Sequence, residues 1–134
     1  MNSPPSWLRE FAERYTAAWC SQNAASVAAF FSPTGSLQVN SASPAVGQSA
    51  IEAVAQSFMS AFPDMVVAMD EIRILGDGGE YHWTLTGTNT GPGGTGARVS
   101  VRGFEQWTIG ADGLIAQSLG QFDAADYARQ LGQP

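Results

Sequence analysis

The sequence is poor in the residues that cross-link a chain or hold a metal ion. Its 134 residues include one cysteine, Cys20, and one histidine, His82. A single cysteine cannot close an internal disulfide, and this pair does not supply the Cys and His ligands of a zinc site. We therefore expect neither a disulfide scaffold nor a zinc enzyme, and no bound metal.

Basic residues and long apolar runs are scarce as well. Six Lys and Arg residues stand against 12 Asp and Glu residues, a formal net charge of −6. Such a chain has no cationic surface to release counterions from nucleic acid or an anionic membrane. No apolar run approaches the roughly 18 residues that span a bilayer, and the start lacks a signal-peptide pattern. We expect a soluble cytoplasmic protein that binds neither nucleic acid nor membrane.

Apolar residues, by contrast, are plentiful. They make up 44% of the chain, and 10% of the residues are aromatic. A chain of this size can bury about two-thirds of its unfolded surface, which excludes intrinsic disorder. The length predicts a single domain over residues 1–134.

The first half of the chain has apolar residues at helical spacing. One stripe runs over residues 7–19, a short second one over 27–31, and a third over 51–62, just before Pro63. Steps of three and four residues predict amphipathic helices. Residues 32–35 are predicted to end the second helix, and one strand is predicted at 36–40.

The second half has the pattern of strands joined by hairpins. Stretches near 65–75, 80–90, 97–109 and 113–123 are separated by links rich in Gly and Asp, the first of them at 76–79. Such links are typical of hairpins. Helices that precede most of the strands predict an α+β fold. We expect a strongly curved, mixed or antiparallel sheet wrapped around the N-terminal helices as a cone, with a ligand cavity at its open end.

The strand at 97–109 places an acid among apolar residues. Its odd positions include Val99, Val101 and Trp107, whereas its even positions are mostly polar. Alternation therefore directs Glu105 to the buried face, where desolvation raises the pKa of a carboxyl group. Such a group is typical of a functional site. A bulge near Gly103 that returns Glu105 to solvent, or a purely structural hydrogen bond, is the alternative.

In the last strand, two polar residues occupy the same alternating positions as the apolar residues. Ile115 and Leu119 occupy odd positions, as do Gln121 and Asp123. We therefore expect Gln121 and Asp123 to point together into the cavity. Asp123 also stands where it can cap a terminal helix, and the two roles are compatible.

Aromatic residues supply the remaining candidates. Tyr15 lies within the first apolar stripe, so its hydroxyl needs a partner or lines the cavity. His82 shares its face with threonines and is interpreted as a surface or interface residue. Four further rings are expected to hold the substrate and exclude water: Phe58, Phe62, Trp83 and Trp107.

Three strings of the chain resemble those of the SnoaL-like polyketide cyclases, the ester-cyclase group of the nuclear-transport-factor-2-like superfamily. The strings are Phe62-Pro63-Asp64, Trp83-Thr84 followed by Gly87-Thr88-Asn89-Thr90-Gly91, and the ending from Asp123 to Gln130-Leu131-Gly132. The resemblance covers nearly the whole chain. It implies a cystatin-like, cone-shaped α+β barrel with an apolar pocket and no cofactor, and a homodimer.

The resemblance also implies a role for one residue. The closing aspartate of the cyclases is the acid/base of an intramolecular aldol ring closure, and Asp123 matches it. This chain departs from the family pattern at Asn89, where a histidine is common. It departs again on the strand before the aspartate, where polar or aromatic residues are usual and this chain has Leu119 and Gln121.

Two functions follow as alternatives. The first is a cofactor-free acid/base lyase, isomerase or aldol-type cyclase acting on a small hydrophobic carbonyl compound. In it Asp123 exchanges the proton beside the carbonyl and protonated Glu105 donates to the enolate oxygen, with Gln121 or Tyr15 assisting. The second is a non-catalytic module that binds a small molecule and dimerises through its outer sheet face. Limonene-epoxide-hydrolase-like chemistry ranks below both, because the arginines of the strand at 97–109 face away from the pocket.

Overall fold

The computed structural model describes residues 6–76 and 78–132. Four helices lie within these ranges: α1 (Ser6–Cys20), α2 (Ala24–Ala28), α3 (Gln48–Ala61) and α4 (Ala124–Gln130). The strands are β1 (Phe31–Val39), β2 (Ala45–Val46), β3 (Val66–Leu75), β4 (Gly78–Thr88), β5 (Arg98–Ile109) and β6 (Ile115–Phe122). No helix in these ranges is long and apolar enough to cross a membrane.

The six strands form one sheet in the order β2-β1-β6-β5-β4-β3. Neighbours are antiparallel except β1 and β6, which run parallel. The edge strands β2 and β3 do not pair with each other in the described ranges, so the sheet is mixed, curved and open. The predicted α+β fold, with a curved sheet around N-terminal helices, is confirmed in this open form.

Helices α1, α2 and α3 supply one side of the core. In α1 the buried residues follow the predicted stripe, with Leu8, Phe11 and Tyr15 almost completely enclosed. Burial of each such side chain contributes about 1.5–3 kcal/mol. The sheet contributes the other side of the same core, including Val99, Val101 and Trp107. Helix and sheet are therefore joined by a single apolar cluster.

Two local predictions differ from the structure. Phe31, predicted to lie in the second helix, begins β1, and residues 32–35, predicted to end that helix, lie inside the strand. A Cβ at Gly35 would lie 2.7 Å from the backbone oxygen of Ile115, so glycine allows β1 to approach β6. The two-residue strand β2 was not predicted either. In the predicted link at 76–79, Asp77 lies outside the described residues.

Asn89, which departs from the family pattern, fixes the loop between β4 and β5. It is buried, and its Oδ1 accepts the Thr95 N–H at 2.8 Å. Its Nδ2 donates to the Ala61 carbonyl oxygen at 3.2 Å. The Asn89 amide therefore ties this loop to the end of α3.

Candidate functional site

A cavity lies between the concave face of the sheet and helices α1, α3 and α4. The cavity has a volume of about 70 Å³. One water needs only roughly 10–15 Å³, so a compound of about one ring fits. Among the described residues, Glu105 is the only acid in the wall. The wall consists of Trp19, Leu37, Val39, Val54, Phe58, Val67, Tyr81, Trp83, Leu85, Val101, Glu105, Gly120, Gln121, Phe122 and Tyr127.

Two glycines on the concave face leave room beside the larger side chains. Gly120 on β6 pairs with Glu105 on β5, and Gly103 on β5 pairs with Trp83 on β4. A Cβ at Gly103 would lie 2.6 Å from Cζ2 of Trp83, so the indole ring occupies the space of a missing side chain. A Cβ at Gly120 would lie 3.6 Å from Cγ of Glu105. Gly103 thus gives the Trp83 ring its room, whereas a Cβ at Gly120 would be in ordinary contact with Glu105.

The Glu105 carboxyl group is buried and receives three donors on one oxygen. It is 8% exposed, as the alternation of β5 predicts. The Tyr15 hydroxyl donates to Oε1 at 3.0 Å, Trp107 Nε1 at 2.9 Å and Ser118 Oγ at 2.8 Å. These donors come from α1, β5 and β6, so the carboxyl group joins the helix to the sheet.

The two oxygens of Glu105 are not equivalent. Oε1 accepts all three short bonds, whereas Oε2 accepts only a longer one of 3.3 Å from the Tyr15 hydroxyl. A carboxylate oxygen has lone pairs for about two acceptor bonds, so Oε1 is saturated. Oε2 therefore retains capacity to accept or carry a proton.

Burial sets the protonation of this group. Desolvation raises the pKa of Glu105 above its ordinary value of 4.5, and the bonds from Trp107, Ser118 and Tyr15 offset part of that rise. Burial, with the neighbouring Glu105 charge adding to it, also raises the pKa of Tyr15. Tyr15 is therefore a hydrogen-bond donor to Glu105 and stays protonated at neutral pH.

Tyr15 and Trp107 hold the acid and do not themselves line the cavity. Their ring centroids are 5.2 Å apart in an edge-to-face arrangement. Tyr81 stacks on Trp107 with centroids 4.9 Å apart. This packing holds the two donors in place against Glu105.

The predicted alternation of inward-facing and outward-facing side chains in β6 is wrong after its first residue. Thr108 pairs with Gln117 and Ile109 with Ile115, so Ala116 is an extra residue. A bulge of this kind shifts every later side chain to the opposite face. The even residues Ser118 and Gly120 consequently face the core, while the odd residues Gln117, Leu119 and Gln121 are exposed.

The bulge explains why Asp123 does not point into the cavity. Asp123 is exposed and does not border the cavity. Its Oδ1 accepts the backbone N–H of Asp126 at 3.0 Å, which makes it the N-cap of α4. The alternative reading from sequence, a helix cap, therefore describes its geometry. Gln121 borders the cavity from an exposed position.

Of the four rings that the sequence predicted to hold the substrate, two lie in the cavity wall, whereas Phe62 and Trp107 do not line it. Phe58 and Trp83 line the cavity. Phe62 is fully buried in the core behind it, with its ring centroid 6.3 Å from that of Tyr127. The sequence analysis did not predict two aromatic residues of the wall, Trp19 on α1 and Tyr127 on α4. The sequence does not show which helix ends meet the open end of the sheet.

The outer face of the sheet carries the remaining candidate from the sequence. His82 lies there, with Nε2 at 2.8 Å from Oε1 of Glu80 and its ring stacked on Phe104. The homodimer through this face stays a prediction. In residues 6–76 and 78–132, no group of three or more His, Cys, Asp or Glu side chains is placed to hold a metal ion.

The raised pKa of Glu105 predicts a pH-dependent stability difference. Between 4.5 and its folded-state pKa, the folded protein binds more protons than the unfolded chain. Stability from the protonated form is fully present below 4.5 and is lost as pH rises through the folded pKa. Glu105→Gln removes this titration. The free energy of unfolding of Glu105→Gln, relative to that of wild type, should therefore increase between about pH 4.5 and pH 8.

Urea denaturation of both proteins at the two pH values measures this change. Glu52→Gln, at an exposed glutamate of α3, is the control. A difference between Glu105→Gln and wild type that is independent of pH, or that shrinks as pH rises, would contradict the assignment.

The capping role of Asp123 predicts different results for two substitutions. Asp123→Ala removes the acceptor and should destabilise α4 by about 1 kcal/mol, which is about fivefold faster amide exchange in that helix. Asp123→Asn keeps an acceptor oxygen and should exchange nearly as slowly as wild type. Amide hydrogen exchange by NMR tests this, and equal exchange in all three proteins would show that the cap is not formed.

Solved structures with the same fold share little sequence with this chain. A proposed SnoaL-like polyketide cyclase from Jannaschia sp. CCS1 is 18% identical with a TM-score of 0.84, over 100% of this chain and 99% of that one. A hypothetical protein of ketosteroid-isomerase-like fold from Catenulispora acidiphila, in complex with trimethylamine, is 15% identical with a TM-score of 0.82, over 93% and 94%.

A third similar structure is SalBIII, an epoxide hydrolase/cyclase-like enzyme with a role in pyran ring formation in the polyether salinomycin. It is 14% identical with a TM-score of 0.77, over 90% of this chain and 94% of that one. At these identities the likeness shows the fold alone.

Comparison of the sequence with known protein families identifies the family of this chain. No curated protein sequence matches the chain. The family described as the SnoaL-like domain matches residues 12–118, most of the chain, and this confirms the resemblance found in the sequence. The chain therefore belongs to the SnoaL-like domain family.

Proposed function

We propose that this SnoaL-like protein is a cofactor-free acid/base enzyme that acts on a small, largely apolar carbonyl compound bound in the cavity. Glu105 moves the proton in this proposal. The observation that carries it is a buried carboxyl group in an apolar cavity wall, with one oxygen saturated by donors and the other nearly free. Perturbed acids in concave apolar sites are typical of catalysis.

The chemistry is proton transfer beside a carbonyl group. Oε2 of ionised Glu105 removes a proton from the carbon next to the carbonyl. The electron pair of the broken C–H bond forms the C=C bond of an enolate, and the negative charge moves to the carbonyl oxygen. Return of the proton to the same or another carbon completes the cycle. Isomerase, lyase and aldol-type cyclase reactions share this first step.

This assignment gives Glu105 the role that the sequence suggested for Asp123. A general base must come within hydrogen-bond reach of the proton it removes. Asp123 is exposed and caps α4, whereas Glu105 borders the cavity. The raised pKa of Glu105 also makes its carboxylate a stronger base than an ordinary glutamate.

The fold relatives support the choice of substrate class without fixing it. A proposed polyketide cyclase and a cyclase-like enzyme of polyether formation share this scaffold. The cavity here has room for about one ring. Cyclohexanone is therefore a suitable probe, since it is apolar, has one ring and carries exchangeable protons beside its carbonyl.

Deuterium incorporation into cyclohexanone in D2O, followed by proton NMR, tests the proposal. Wild type should accelerate exchange above the buffer rate, and Glu105→Gln should lose about a hundredfold of that acceleration. The rate should rise with pH, with a midpoint above 4.5, because the base must be unprotonated. Glu52→Gln should exchange like wild type. Equal rates in Glu105→Gln and wild type would remove Glu105 from the mechanism.

A non-catalytic binding module is the second candidate function. Three donors on Oε1 also suit a carboxyl group whose role is to hold α1 on the sheet. In that case cyclohexanone binds to wild type, but its protons exchange at the buffer rate. The same experiment therefore separates the two functions.

A further inference from the structure

Trp83, a residue of the cavity wall, has a buried polar atom that makes no hydrogen bond within the described residues. Trp83 lines the cavity, and its indole Nε1 is buried. Among the described residues, no group accepts a hydrogen bond from this N–H. Leaving a buried donor unpaired costs about 1–3 kcal/mol, so such groups in native proteins need an explanation.

Trp107, the indole on the neighbouring strand, shows the ordinary arrangement. It is buried too, and its Nε1 donates to Glu105 at 2.9 Å. Trp83 is less deeply buried than Trp107 and lines the cavity, and its Nε1 has no such partner in the part of the chain that the structure describes. Because Gly103 faces its ring, Trp83 reaches over the sheet with no side chain of β5 beneath it.

Trp83 and Glu105 are neighbours on the same face of the sheet. Tyr81 pairs with Glu105, and Trp83 pairs with Gly103, so Trp83 and Glu105 occupy diagonal cross-strand positions. The Cα atoms of such a pair are about 7–8 Å apart. Two side chains at this spacing can contact adjacent atoms of one small molecule.

We propose that Trp83 orients the substrate by donating its Nε1–H to the substrate's carbonyl oxygen, while Glu105 faces the neighbouring C–H group. The proposal rests on the proposed function and narrows its substrate to a neutral compound with a hydrogen-bond acceptor. A preplaced donor at the carbonyl oxygen stabilises the negative charge that develops there as the proton leaves. A hydrocarbon of the same shape leaves the donor unpaired, so wild type discriminates against it.

Cyclohexanone and methylenecyclohexane are a matched pair for this test, because the second replaces the carbonyl oxygen with a CH₂ group. Binding is followed by NMR on wild type, Trp83→Phe and Trp7→Phe. Trp83→Phe keeps an aromatic ring but has no N–H group. Trp7 is 50% exposed on α1 and serves as the control.

Cyclohexanone should move the indole N–H resonance of Trp83 downfield, and methylenecyclohexane should not. The ratio of the two affinities should fall about five- to tenfold in Trp83→Phe and stay unchanged in Trp7→Phe. The Trp83 resonance is assigned by its loss in Trp83→Phe. If that variant does not fold, through-bond correlation in wild type assigns it, and the downfield shift alone decides.

Two outcomes would overturn the inference, and they are distinguishable. If cyclohexanone shifts the methyl resonances of Val54 and Val101 but not the Trp83 indole, the compound binds without this donor. The proposed function then stands and the role of Trp83 falls. If neither compound shifts any resonance of the cavity wall, both the role of Trp83 and the proposed function fall.

Discussion

The Glu105 carboxyl group connects the fold to the site. Its Oε1 gathers hydrogen bonds from α1, β5 and β6, so the same contact that fixes the helix on the sheet also fixes the acid. Burial of a charge is costly unless donors satisfy it, and here the donors satisfy one oxygen only. The other oxygen has only one long hydrogen bond, and the proposed function assigns the proton transfer to it. In that proposal, stability and chemistry depend on one side chain.

Sequence periodicity was enough for the architecture and for this acid. The apolar stripe of α1 and the alternation of β5 are regular, so they correctly placed Tyr15 near the site and Glu105 on the buried face. The hydrogen bond between them could not be predicted, since it joins residues 90 positions apart. Contacts of that kind depend on how helix and sheet dock, which local periodicity does not report.

The prediction for the last strand was wrong for a physical reason that the sequence hides. One extra residue at Ala116 reverses the alternation, so Ser118 and Gly120 face inward. Asp123 is exposed, and Gln121 borders the cavity only from an exposed position. No Gly or Pro marks that bulge. The family resemblance drew attention to Asp123 as well, yet the SnoaL-like fold fixes a scaffold, and relatives below 25% identity carry their own side chains within it.

The titration of the Glu105 carboxyl carbon, followed by NMR with and without cyclohexanone, tests the central claim most directly. A midpoint above 4.5 in the free protein is expected because burial disfavours the charged form. Cyclohexanone should then change that midpoint, since the proposed function places it against Oε2. A midpoint at or below 4.5 that cyclohexanone leaves unchanged would contradict the account.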